Sequence, residues 1–184
     1  MGGMFGDASS FNHFIGGWNV CKVKKFNHMF SGATVFNQSI EEWNMSSARI
    51  LSCMFYKAPT FNQKMGEWNV SHVEDMSYMF YKASSFNQFI GRWEVFNVTN
   101  MNGMFQGAES FAQDISDWDV CNVTNFKDVF NNAKSFDQRC LDGWDVSGVI
   151  GMSLMLTAID AQSQPAETSD LVVACNTSTS CIIS

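Results

Sequence analysis

The hydrophobic residues of this chain recur at an interval of 25 residues, and only the last step between tryptophans is 26. One position of the interval holds tryptophan and two others hold phenylalanine, in series that begin at Phe5 and Phe11 and end at Phe130 and Phe136. Chance does not place all six tryptophans at one position, so internal repeats organise the chain. The tryptophans are Trp18, Trp43, Trp68, Trp93, Trp118 and Trp144.

Each repeat carries two patterns that predict different secondary structures. In the segment Trp18-Asn19-Val20, apolar and polar residues alternate, which predicts a short strand with Asn19 facing outward. Residues 73–80 then place apolar side chains at spacings of 3, 3 and 1, which is typical of an amphipathic helix. Residues 71–74 read Ser-His-Val-Glu, a helix-capping box. We therefore expect one short strand and one short helix in each repeat.

A single strand and helix cannot bury their own apolar faces, whereas stacked copies can. The pattern predicts an α/β solenoid of about six repeats, with short parallel strands on one face and short helices on the other. The tryptophan and phenylalanine series are then core residues rather than a ligand-binding stripe. The repeated Asn12, Asn37, Asn62 and Asn87 predict a ladder of amides that bond neighbouring backbone. The alternative is an exposed amide row.

Composition narrows the functional classes. The formal charge of −7 argues against a nucleic-acid binder and against docking on an anionic membrane. No apolar run is long enough for a membrane span, and the start does not read as a signal peptide. Residues 1–92 carry eight Lys and Arg against six Asp and Glu, whereas residues 93–184 carry three against twelve. This asymmetry can orient a binding partner. The alternative, given equal weight, is that the acidic surface only keeps the protein soluble.

Sequence motifs for catalysis are missing. No phosphate-binding loop, dinucleotide fingerprint, nucleophile elbow or CxxC pair occurs, so we expect no enzyme activity, catalytic residue or cofactor. The three histidines fall at different repeat positions, which does not favour zinc. Asp117, Asp119, Asp142 and Asp145 leave calcium as a weaker alternative, without a recognised calcium loop, and we expect no metal site.

Several strings carry a family resemblance, among them FNQKMGEWNVSHVEDMSYMFYKA and FNQFIGRWEVFNVTNMNGMFQGA. They resemble the BspA-type leucine-rich repeats of bacterial and protist surface proteins. The resemblance implies a right-handed, leucine-rich-repeat-like solenoid, an extracellular or cell-surface location, and adhesion or protein–protein binding without catalytic residues. Ala112 and Asp137 depart from the repeated asparagine.

The resemblance covers residues 1 to about 159, which we predict to be one repeat domain. Residues 1–5 align with residues 101–105, so the domain is expected to begin in the middle of a repeat, without a cap. Residues 160–184 leave the pattern and are predicted to be a C-terminal cap or a flexible tail.

The outward positions of the predicted strands are the candidate binding surface, because solenoids usually bind through such a face. Phe96 is the candidate hot spot among otherwise polar rows. The expected function is non-enzymatic binding of a protein, or alternatively of a glycan, through this strand face. The rival is a structural subunit docked by its open end or helix side in a larger assembly. The predicted partner-binding residues are Asn19, Asn44, Asn69, Glu94, Phe96, Asp117, Asp119 and Asp145.

Overall fold

The computed structural model describes residues 1–141, 143 and 144. Its one helical element there is a short 3₁₀-helix, Gln138–Leu141. The β-structure of this part consists of single parallel bridges between successive repeats: Lys25–Ile50, Ile50–Asp75, Asp75–Asn100 and Asn100–Asn125. Within these residues, no helix is long and apolar enough to cross a bilayer.

The prediction of an α/β solenoid with leucine-rich-repeat-like strands and helices is wrong. The described residues contain neither an α-helix nor a strand longer than an isolated bridge. The expected helix at residues 73–80 is a run of turns, and the expected strand around Trp68 forms no bridge. The predicted alternation at that strand is nevertheless confirmed, because Trp68 and Val70 are buried while Asn69 is exposed.

Backbone conformation explains why the helix does not form. Among the described residues, two positions of each repeat have a positive φ, between 52° and 72°, whereas an α-helix requires about −63° at each residue. A left-handed residue at these two positions interrupts any helical run. The first position holds Gly3, His28, Cys53, Tyr78, Gly103 and Asp128, and the second holds Asp7, Gly32, Lys57, Lys82, Gly107 and Asn132.

Turns and bonds between repeats alternate along this segment. The N–H groups of Met76, Tyr78, Phe80 and Lys82 donate to carbonyls of the next repeat at 2.8–3.0 Å. The N–H groups of Met79, Tyr81 and Ala83 instead donate to the carbonyl three residues back, which closes successive turns. Turns of this length also return side chains to one side after three residues, so the apolar spacing imitates that of a helix.

The core consists of aromatic rings stacked from one repeat to the next. Phe80 lies between Phe55 and Phe105, with ring centroids 5.7 and 5.6 Å away, and it also stacks on Phe86 at 3.9 Å. The predicted aromatic core is thus confirmed for the repeats after the first. In the first repeat Phe5 and Phe11 are only partly buried, and Trp18 is 38% exposed.

The buried tryptophans also bond adjacent repeats together. The indole N–H of Trp68 donates to the carbonyl oxygen of Ile40 at 3.1 Å, 28 residues earlier in the chain. Trp43 and Trp93 make the equivalent bond to Ile15 and Met65. A buried indole N–H needs an acceptor, so this bond allows a large aromatic ring to occupy the core.

The predicted asparagine ladder is confirmed. Oδ1 of Asn62 accepts the backbone N–H of Asn87 and the side-chain amide of Gln88, both at 2.9 Å. Asn37 makes the same pair of bonds to the next repeat, to Asn62 and Gln63. Each asparagine therefore satisfies an irregular backbone donor that no regular sheet would pair.

Candidate interaction surface

The residues immediately before and after each tryptophan form an exposed surface, which we call the tryptophan-flanking face. Since the five tryptophans after Trp18 are buried and neighbouring side chains alternate, the residues beside them point outward, and those beside Trp18 are exposed as well. Every described residue of the face is exposed. Before the tryptophans lie Gly17, Glu42, Glu67, Arg92, Asp117 and Gly143, and after them lie Asn19, Asn44, Asn69, Glu94 and Asp119.

Every predicted binding residue that the structure describes is exposed, and all except Phe96 belong to the tryptophan-flanking face. Phe96 lies two residues after Glu94 and borders the tryptophan-flanking face. Asp145 lies outside the described residues, as do Asp142 and the predicted boundary between residues 159 and 160. Binding by these residues stays a prediction.

The residues after the tryptophans also have a local structural role. Oδ1 of Asn44 and of Asn69 accepts the backbone N–H two residues later at 3.1 Å, and Oδ1 of Asp119 does so at 3.2 Å. Such Asx turns fix the backbone that follows. These side chains are therefore held in place before any partner arrives. The outer edges of their carboxylate and amide groups still face solvent.

Carboxylates dominate the charge of the face. Its described residues include one cation, Arg92, and five carboxylates, those of Glu42, Glu67, Glu94, Asp117 and Asp119. Arg92 approaches Glu67 of the preceding repeat at 3.6 Å, but both side chains are about three-quarters exposed. Exposed pairs of this kind add little stability because water screens them. Both groups therefore remain available to a partner.

Two exposed phenylalanines lie in the same repeat as Arg92. Phe96 is 50% exposed and Phe89 is 49% exposed. The Arg92 guanidinium lies 5.9 Å from the centre of the Phe89 ring, a cation–π distance. In other repeats the position of Phe96 holds Cys21, Ser46, Ser71 and Cys121. The turn structure therefore does not require an aromatic ring there.

Phe89 and Arg92 are not among the partner-binding residues predicted from the sequence, although Arg92 lies in a row of the predicted face. A signal was present, because Phe89 occupies a position that Ser39, Lys64 and Asp114 occupy elsewhere. In a column of mostly polar residues, an apolar residue marks an exception to the repeat. Phe14, in the same column, is also exposed.

Three titratable groups elsewhere have shifted pKa values, and one of them is Asp114, whose pKa is lowered by the hydrogen bond from the Ser116 backbone. Burial, and then the nearby Asp75 carboxylate, raise the pKa of the Cys53 thiol to about 11, so this thiol stays protonated at neutral pH. Hydrogen bonds from Arg139 lower the pKa of Asp137 to about 2. Among residues 1–141, 143 and 144, no cluster of three or more His, Cys, Asp or Glu could hold a metal.

These observations define a class: a protein of stacked 25-residue turn repeats with an aromatic core and a polar outer surface. The chain belongs to the family described as Mycoplasma protein of unknown function, DUF285, whose model matches residues 1–88 and 51–169. The two matches overlap, as expected for tandem repeats. No curated protein and no solved structure shows a significant match to the chain.

Proposed function

We propose that this chain is a non-enzymatic protein-interaction module. Its tryptophan-flanking face binds a protein partner, with Phe96, Arg92 and Phe89 at the centre of the contact. The observation that carries the proposal is the exposed Phe96 ring at a position where the repeat itself uses small residues. An aromatic ring in water costs free energy, and burial against a partner recovers it.

The composition of this centre is typical of binding hot spots. Aromatic residues and arginine are over-represented among the residues that contribute most to protein–protein affinity. Arg92 already lies against Phe89, which reduces the freedom that it would lose on binding. The surrounding carboxylates would form the polar rim and would favour a partner with basic groups.

The scaffold supports the proposal because it holds the face in one arrangement. Hydrogen bonds run from repeat to repeat along the backbone, and the indoles beneath the face bond the preceding repeat. A surface that is ordered in advance loses little entropy on association. Because the scaffold is rigid, the fixed relative positions of Glu67, Arg92 and Glu94 also help to select which partner can bind.

The setting that we propose is the cell surface, as part of an adhesive protein related to the BspA-type surface repeats. The support is the resemblance of the FNQ…W…MF strings. Treatment of intact cells with a protease, followed by detection of the chain, tests the location. Loss of the chain from intact cells agrees with surface display, and full protection contradicts it.

The binding proposal predicts that Phe96→Ser weakens partner binding by about 10- to 100-fold, the usual range for a hot-spot aromatic. Two other repeats carry serine at this position, Ser46 and Ser71, so the fold should tolerate the substitution. The measurement is quantitative retention of proteins from the native cell surface on the immobilised chain, followed by titration of each retained protein. Phe14→Ser is the matched control, because Phe14 is exposed but lies three repeats away. Equal affinities for wild type and Phe96→Ser would contradict the proposal.

A further inference from the structure

The three tyrosines of the chain form one cluster on the outside of two adjacent repeats. The rings of Tyr56 and Tyr81 are stacked, with centroids 4.6 Å apart and an interplanar angle of 10°. Tyr78 meets Tyr81 edge to face, at 5.8 Å and 75°. All three side chains are half-buried, in contrast to the fully buried phenylalanines of the core.

The repeat fold does not require this cluster. The position of Tyr56 and Tyr81 holds Ser31, Gln106 and Asn131 in other repeats. Tyr78 lies over Gly103, where an added Cβ would clash with its ring. Tyr78 therefore depends on the glycine beside it, and the other repeats fold without tyrosine at these positions.

Two lysines accompany the tyrosines. The ammonium groups of Lys57 and Lys82 lie 5.2 and 5.4 Å from the ring centres of Tyr56 and Tyr81. Neither lysine forms an ion pair with another described residue, although the chain as a whole is acidic. Both adopt a positive φ, which glycine adopts more easily at the same position in Gly32 and Gly107. Two unpaired cations thus occupy a place where the backbone favours glycine.

The cluster presents hydrogen-bond donors. Nδ2 of Asn102 donates to the hydroxyl of Tyr78 at 2.9 Å, which fixes the position of the phenol oxygen. The hydroxyls of Tyr56 and Tyr81 have no partner among the described residues, and ammonium groups only donate. A complementary ligand therefore has many acceptor oxygens, negative charge and an apolar face that can lie against an aromatic ring.

We propose that Tyr56, Lys57, Tyr78, Tyr81 and Lys82, the tyrosine–lysine patch, bind an acidic glycan. Its carboxylate or sulfate groups pair with the two lysines, its hydroxyls accept from the phenols, and its C–H face packs on the tyrosine rings. An acidic peptide could also pair with the lysines and accept from the phenols, but poly-L-glutamate lacks the flat C–H face of a sugar ring that packs on an aromatic ring. The patch shares no residue with the tryptophan-flanking face, so failure of one proposal leaves the other unaffected.

The test measures retardation of the purified chain by affinity electrophoresis in gels that contain one polymer each. Alginate supplies carboxylates, dextran sulfate supplies sulfates, dextran is the neutral control, and poly-L-glutamate is the acidic peptide control. We expect retardation by at least one acidic polysaccharide, and clearly weaker retardation by dextran and poly-L-glutamate. Retardation by alginate identifies the acidic group as a carboxylate, and retardation by dextran sulfate identifies it as a sulfate.

Substitutions taken from other repeats test the patch without disturbing the fold. Tyr56→Ser and Tyr81→Gln copy Ser31 and Gln106, and Lys57→Gly copies Gly32. Each is expected to weaken glycan binding by roughly fivefold or more, including the tyrosine variants that keep every charge. Lys64→Ser, which copies Ser39, removes one exposed lysine elsewhere and should change binding less than about twofold.

Several results would overturn the proposal. One is no retardation by either acidic polysaccharide. Another is retardation by dextran or by poly-L-glutamate that equals the retardation by the acidic polysaccharides. A third is binding that the tyrosine substitutions leave unchanged, since charge alone would then account for it. Thermal unfolding of each variant alongside wild type confirms that the repeats remain folded.

Discussion

Replacement of Phe80 by alanine is expected to lower the free energy of unfolding by about 3–5 kcal/mol. Phe80 is fully buried and touches three other rings, those of Phe55, Phe86 and Phe105. Its removal leaves a cavity in the middle of the stack, where the neighbouring repeats cannot collapse without breaking their backbone bonds. Chemical denaturation, followed by tryptophan fluorescence, measures the loss.

The matched control is Phe89→Ala, the same substitution on an exposed ring. Its expected effect is about 0.5 kcal/mol or less, as for most surface substitutions. Similar losses for Phe80→Ala and Phe89→Ala would contradict the stacked aromatic core. A large loss for Phe80→Ala alone supports it.

Asn62→Leu is expected to cost about 1–3 kcal/mol, although leucine has nearly the same size as asparagine. The substitution removes Oδ1, which accepts bonds from the Asn87 backbone and the Gln88 side chain. The Gln88 amide can turn towards water, but the Asn87 N–H is fixed in the stack and loses its partner. The same denaturation experiment measures this effect.

Asn62→Asp provides the control, because aspartate keeps an oxygen at the position of Oδ1. It should retain most of the stability that leucine loses, and it resembles the natural Asp137 at the same repeat position. If Asn62→Asp and Asn62→Leu were equally destabilising, the ladder of acceptor oxygens would not explain the role of the asparagines. The comparison separates the hydrogen bond from side-chain packing.

The sequence was sufficient to predict the repeat, the buried aromatic columns and the asparagine ladder. These features depend on the identity of a residue and its recurrence, and both are visible in one chain. Phe55, Phe80 and Phe105 must stack in any fold in which repeats lie side by side. Likewise, an amide such as Asn62, recurring at the spacing of the repeat, can bond its own equivalent in the next repeat.

The helix prediction failed because spacing alone does not distinguish a helix from consecutive turns. Val73, Met76 and Phe80 lie on one side in both cases. The distinguishing signal is the recurrence of glycine at two positions, as in Gly103 and Gly107. Such glycines indicate a left-handed backbone, which ends a helix at that point. Not every repeat carries these glycines, since Tyr78 and Lys82 stand at the two positions in another repeat.

The candidate surface was predictable only in part. The alternation around tryptophan correctly indicated that residues such as Asn69 and Asp119 point outward. The repeat positions that lie in the turns or just after them, however, could not be assigned to the core or to the surface while a helix was assumed. Phe89, Tyr56 and Tyr81 were missed for this reason, because their exposure depends on the turn geometry rather than on a simple period.

The most direct test of the stacked-turn structure is solution NMR of the whole chain, read at residues 73–83. The structure predicts positive φ at Tyr78 and Lys82, seen as strong intraresidue contacts between the amide and α protons. It also predicts slow exchange of the Tyr78, Phe80 and Lys82 amides, which donate to the next repeat. A continuous run of helical Cα shifts across residues 73–80, with sequential amide–amide contacts, would contradict the structure.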